Sequence, residues 1–159
     1  MEIYGDKNIF AVEYKITDKQ KLLGFAKIWF GGYSLGTNED LIYLKGYLLA
    51  GLEDIANSEA NDFQFTPNKT SLFKFLLESY KDQNNAEHLK YSIRSFATFC
   101  DDFYIFSFCF NDRIYILWKL RNAKTPFFDL NNQSERINMF SIEKTLYLKI
   151  LEEFKNLIL

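Results

Sequence analysis

Apolar and polar residues alternate along residues 8–17. Phe10, Val12, Tyr14 and Ile16 fall on one face and Glu13 and Lys15 on the other, the period of a half-buried strand. Asp18-Lys19-Gln20-Lys21 is a polar connection of hairpin length. Leu22 to Phe30 reads as a second strand, with Phe25, Lys27 and Trp29 on one face and Leu22, Ala26, Ile28 and Phe30 on the other. Gly31-Gly32 then supplies two residues that accept positive φ cheaply, as a tight hairpin turn requires, and Tyr33 to Gly36 returns as a short strand. Thr37-Asn38-Glu39-Asp40 reads as a helix start, because Thr37 and Asp40 have capping-box spacing and acids suit a helix N-terminus. Leu41, Leu44, Leu48, Leu52 and Ile55 would form its apolar stripe. Gly46 and Gly51 each cost up to ~1 kcal/mol there relative to Ala, which predicts close approach to the sheet.

The pattern is less regular over 57–68. Thr70 or Ser71 is placed to cap a short helix with Leu72, Phe75, Leu76 and Ser79 on one side, and 81–88 is a charged, amide-rich loop. The second half reads as sheet. Tyr91 to Phe99 alternates loosely, and Phe103 to Phe110 and Arg113 to Arg121 flank Asn111-Asp112, two residues that tolerate the left-handed region. That turn sets Ile105 opposite Trp118, Phe108 opposite Tyr115 and Cys109 opposite Ile114. Both faces of this hairpin are apolar in the middle, which predicts a central position covered on both sides for part of its length. After a connection over 122–132, Arg136 to Phe140 is a last short strand. Ser141 then caps a final helix with Ile142, Leu146, Ile150, Phe154 and Leu157 on its buried face.

These elements predict one α+β domain over residues 1–159. An antiparallel sheet of about five to seven strands packs against about three helices. The chain is long enough for a real core, and 48% hydrophobic and 18% aromatic residues provide the material and exclude disorder. With 17 Phe and 10 Tyr, some aromatics reach the surface, where interaction patches use them. A formal net charge of −2 and scattered lysines argue against nucleic acid as partner. Two cysteines point to a reducing compartment, the first residues lack a secretory signal pattern, and no apolar run approaches the ~20 residues of a membrane helix. The expectation is a cytoplasmic protein with neither nucleic acid nor membrane as partner.

Catalytic chemistry is hard to find. His88, the single histidine, lies in a polar loop with only Glu87 beside it. Cys100 and Cys109 are too few for a zinc site, and the carboxylates of Asp101-Asp102 disfavour a Cys100 thiolate. Glu39 and Asp40 occupy the place that a phosphate would need after Gly36. No catalytic residue, metal ligand or cofactor is assigned. Glu39, Asp40, Glu53, Asp54, Glu59 and Asp62 instead offer a negative patch to a basic protein partner, with only Lys45 and Lys69 nearby in sequence to break up the sign.

The order Gly5-Asp6-x-Asn8-x-Phe10-Ala11-Val12-Glu13-Tyr14, Leu23-Gly24-Phe25-Ala26-Lys27-Ile28-Trp29-Phe30, Gly31-Gly32-Tyr33-Ser34-Leu35-Gly36 and a Leu-rich helix resembles the immunity protein 42 family. Such proteins are similar to immunity proteins encoded beside bacterial polymorphic or contact-dependent toxins. The resemblance implies a non-enzymatic inhibitor that needs no cofactor and neutralises the C-terminal domain of a cognate toxin by tight cytoplasmic binding, over the toxin's active site or an adjacent surface. Two other readings stay open on the residues alone. One is a small adaptor or secretion chaperone for an exported protein. The other is an enzyme using carboxylates such as Glu13, Glu53 or Asp101.

Overall fold

The computed structural model describes residues 1–122 and 124–159; Ala123, within the expected connection, lies outside the described residues. Eight strands form two antiparallel sheets. The first holds β1 (Glu2–Asp6), β2 (Phe10–Asp18), β3 (Leu23–Phe30), β4 (Tyr33–Leu35) and the short β5 (Ile42–Tyr43) in the order β1-β2-β3-β4, with β5 also on β3. The second holds β6 (Phe103–Phe110), β7 (Arg113–Leu120) and β8 (Asn138–Glu143), with β7 central. A π-helical turn (Leu44–Leu49) runs into α1 (Ala50–Ala56), and α2 (Lys69–Lys81), α3 (Thr98–Asp102), α4 (Phe128–Asn131) and α5 (Lys144–Ile158) complete the chain. The architecture is the expected α+β one, with the strands divided between two sheets.

Alternation in β2 and β3 works as expected. Phe10, Val12, Tyr14, Ala26, Ile28 and Phe30 are buried. Gly31 and Gly32 take φ of 58° and 86°, the left-handed pair that a two-residue turn needs, and Phe30 pairs with Tyr33. The β6–β7 turn uses Asn111 and Asp112 at φ 49° and 58°, and the register pairs Ile105 with Trp118, Phe108 with Tyr115 and Cys109 with Ile114. Both faces of that hairpin are covered. Ile105, Ile114, Ile116 and Trp118 join the main core with the first sheet, α1 and α5. Phe106, Phe108 and Leu117 join a second cluster under α2 with Phe63 and Phe65. Trp118 is fully buried and donates its indole N–H to Ser34 O (3.1 Å), tying the two sheets together.

Five local expectations are overturned. No helix starts at Thr37: the Thr37 hydroxyl is taken by Asp129 (2.7 Å), and Gly24 and Leu23 recruit Ile42–Tyr43 as a strand, which leaves Leu41 exposed. Leu44, Leu48, Leu52 and Ile55 are buried as expected, and Gly46 makes way for the Tyr43 ring of β5, but Gly51 makes way for the Phe96 ring rather than for the sheet. Asn68, not Thr70 or Ser71, caps α2, accepting from Ser71 N at 3.0 Å, and Phe75 is exposed while Phe73 is buried. The segment 91–99 makes only an isolated bridge, Ser92 to Phe106, before the chain turns into α3. Finally, β8 pairs with β7 as far as Glu143, so Ser141 lies in the strand and α5 begins at Lys144. The buried face of α5 is therefore Tyr147, Leu151, Phe154 and Ile158, while Leu146 and Leu157 are exposed.

Candidate partner-binding surface

The six carboxylates singled out in the sequence do not form one patch. They divide by the cations that the fold brings to them. Glu53 lies 2.9 Å from Lys155 of α5. Glu59 and Asp62 share Lys90 at 3.6 and 2.9 Å. Asp62 also takes the Tyr91 hydroxyl (2.5 Å), and that bond together with Lys90 holds its carboxyl below the usual range. Asp54 accepts from the Ser95 hydroxyl. The neutralising lysines come from 28 to 102 residues away, and Lys45 and Lys69 take no part.

Among the described residues Glu39 and Asp40 have no lysine or arginine within 4.0 Å. Glu39 is exposed and is held at Asp129, whose backbone N–H it accepts (2.6 Å) and whose carboxyl it also contacts, and Asp40 Oδ2 is buried with no hydrogen-bond partner among the described residues. Asp102 stands near enough for burial first, and then Asp101, Asp40 and Asp129, to push its carboxyl above the usual range. Sequence adjacency pointed to Glu53 through Asp62 as neighbours of Glu39 and Asp40, whereas in space Glu39 meets Asp129, and Asp40 lies near Asp102. Asp102 and Asp129 come from α3 and α4, which the hydropathy pattern did not predict.

The segment from Thr37 to Asp40 is anchored on the outer face of the first sheet by a layer of paired polar groups. Glu13 accepts from Lys7 (2.8 Å), the Trp29 indole (2.9 Å) and Asn38 (3.3 Å). Burial raises its carboxyl pKa, but the bonds from Lys7 and Trp29 outweigh that and hold it low. Asp129 likewise sits low despite burial, because Thr37, Asn38 N (3.2 Å) and Lys27 (3.0 Å) stabilise its charge. Exposed aromatics flank this segment: Tyr43, Tyr47 and, most of all, Phe128. Their types are those that interfaces favour, but no sequence period marks them.

The alternative chemistries have little geometry behind them. His88 is half-buried in its loop and contacts Asn85 O at 2.8 Å. Burial pushes the Cys100 thiol up to about 11, with Asp101 and Asp54 adding to the shift, and Cys109 rises for the same first reason. These are thiols held protonated rather than nucleophiles. Among the described residues no group of three or more His, Cys, Asp or Glu is placed to hold a metal ion. Among them, too, no helix is long and apolar enough to cross a membrane.

The sequence profile of immunity protein 42 matches residues 1–157. The chain belongs to the immunity protein 42 family. The crystal structure of CdiI from Burkholderia dolosa AUO158 has the same fold, with a TM-score of 0.63 over 96% of this chain and 99% of that one at 10% identity. No curated protein matches the chain. Family membership makes toxin immunity the role of this protein.

Proposed function

We propose that this immunity protein neutralises a cognate bacterial toxin domain by binding it directly, in the cytoplasm, over the toxin's active site or an adjacent surface. The observation that carries the reading is the family match along essentially the whole chain. A binding role needs no chemistry of its own, in keeping with a fold whose polar groups are spent on one another. An inhibitory interface buries ~1,600 Å² in all and rests on a few anchors.

Glu39 and Asp40 are the carboxylates we assign to that surface. Glu53, Asp54, Glu59 and Asp62 contribute through the local field more than through contact, because three of them already hold a lysine and Asp54 holds Ser95. A basic toxin surface would be steered towards Glu39 and Asp40, with Phe128 beside them as an apolar contact.

The test is a growth assay. The C-terminal region of the protein encoded next to this chain is induced in cells with and without it. Growth arrest relieved by this chain alone, with co-purification of the pair at fixed stoichiometry, is the expected result. Arrest that persists in its presence would remove the proposal. An adaptor, by contrast, would bind its exported partner without abolishing the partner's activity.

A further inference from the structure

The turn between β3 and β4 and the segment leading into β8 border an open cavity of about 240 Å³ that contains none of the six carboxylates in its wall. Its walls include Trp29, Tyr33, Ser34, Gln133, Arg136 and Asn138. Three side-chain donors of the wall are already engaged. The Trp29 indole N–H goes to Glu13, Gln133 Nε2 donates to Ser34 Oγ (3.1 Å), and Asn138 Nδ2 donates to Trp118 O (3.5 Å).

Arg136 differs. Its guanidinium carbon lies 3.6 Å from the centroid of the Tyr33 ring, within cation–π range, and both side chains face solvent. Its Nε donates to Asn138 Oδ1 at 3.0 Å, which orients the guanidinium. Lys27, Lys90 and Lys155 each have a carboxylate within 4.0 Å, whereas among the described residues Arg136 has none. A preorganised planar fork with its terminal N–H groups uncommitted, beside a Trp and a Tyr, matches a planar bidentate acceptor. The volume suits one amino-acid side chain rather than a drug-sized ligand, since those occupy ~300–1,000 Å³. Trp, Tyr and Arg are also the residues in which binding energy at interfaces concentrates.

We propose that this cavity is an anchor pocket for an aspartate or glutamate side chain presented by the toxin domain. The proposal rests on the immunity reading and adds the partner's chemistry to it. The partner then presents a basic surface to Glu39 and Asp40 and an acidic side chain to Arg136. Two separate sites of opposite sign fix one docking orientation and penalise the reverse.

The first arm of the test needs no toxin. The ¹⁵N-labelled protein is titrated with Ac-Asp-NH₂ and Ac-Glu-NH₂ and with their neutral amides Ac-Asn-NH₂ and Ac-Gln-NH₂, following the Trp29 indole and Arg136 Nε–H signals. Saturable shifts with the acids, about tenfold or more weaker with the amides, lost in Arg136→Gln and reduced in Arg136→Lys, are expected. Equal responses to acid and amide, a response unchanged in Arg136→Gln, or inorganic phosphate binding more tightly than either acid would each overturn the pocket. In the second arm, Arg136→Glu should weaken the toxin complex, and an acid-to-lysine change in the toxin should restore it. A protective wild-type chain whose toxin affinity is unmoved by Arg136→Gln overturns the pocket alone. A wild-type chain that gives no protection overturns the immunity reading, and with it the toxin as source of the carboxylate.

Discussion

Phe106 and Phe108 point away from the main core, yet α2 and the Phe63–Phe65 segment bury them completely; on the outward face of the first sheet, Glu13 and Lys27 hold the corresponding places. The second sheet is thus dry on both sides. Phe108 packs against Phe63, Tyr91 and Tyr115 with centroids 5.0, 6.3 and 5.3 Å away. The first sheet is dry on one side and carries a layer of paired charges on the other, under the 37–40 segment and α4. The contrast separates stability from specificity of arrangement. Apolar faces contribute in proportion to the area removed from water, whatever covers them. Paired charges contribute little net energy, but once buried they hold only one arrangement of the loops that carry their partners.

Removing one partner on each face tests that contrast. Phe108→Ala should cost ~3–5 kcal/mol in denaturant unfolding, the range for a fully buried aromatic. A loss under ~1 kcal/mol would mean that the second cluster adds little stability. Lys27→Met should cost less, ~1–3 kcal/mol, by leaving the Asp129 carboxylate half-buried beside Thr37 and Asn38 only. Adding Asp129→Asn should recover part of the loss. Strict additivity of the two changes would show that the pair is not coupled.

The charged layer also predicts a pH signature. The folded values for Glu13 and Asp129 lie below their unfolded ones, so their contribution is present above the unfolded carboxylate range and is lost as pH falls through the folded values. Glu13→Gln or Asp129→Asn should therefore flatten the acid limb of the stability curve. Asp102 is shifted upward and has the opposite sign, destabilising as pH rises through the carboxylate range. Asp102→Asn should stabilise at pH 7 and do nothing at pH 3. Smaller again, Asp112→Gly should add ~0.5–1 kcal/mol by relieving a non-glycine residue at φ 58° in the dry sheet's turn. Glu39→Lys should cost no more than ~1 kcal/mol, the loss of one exposed hydrogen bond to Asp129 N. It should still slow association with the toxin several-fold at low salt, with the difference shrinking as salt is raised.

The legible parts of this chain follow the same division. The β6–β7 hairpin was readable to the residue, because Asn111-Asp112 sets the register and a one-residue slip would move every side chain to the other face. The alternation of β2 and β3 was readable for the same reason. The start of α5 was not: Ser141 has the right type for a cap, but pairing of β8 with β7 continues through it and turns the buried helical face towards Tyr147 and Leu151. Thr37 failed as a cap because Asp129, 92 residues away, claims its hydroxyl. The candidate surface was the least legible part. The acids around Glu53 and Glu59 are conspicuous in sequence, but the lysines that neutralise them are remote, and Arg136 and Tyr33 meet only because two distant segments border one cavity.

The sequence by itself determined the α+β class, the strand periods, the two tight turns and the resemblance to immunity protein 42. Each depends on a residue's own torsional preference or on the spacing of its near neighbours. The tertiary structure alone decided which carboxylates pair with a lysine, where α1 and α5 begin, and which aromatics remain in water. Those outcomes depend on which long-range partner reaches a polar group first, and a buried donor, acceptor or charge left without one costs more than any local propensity returns.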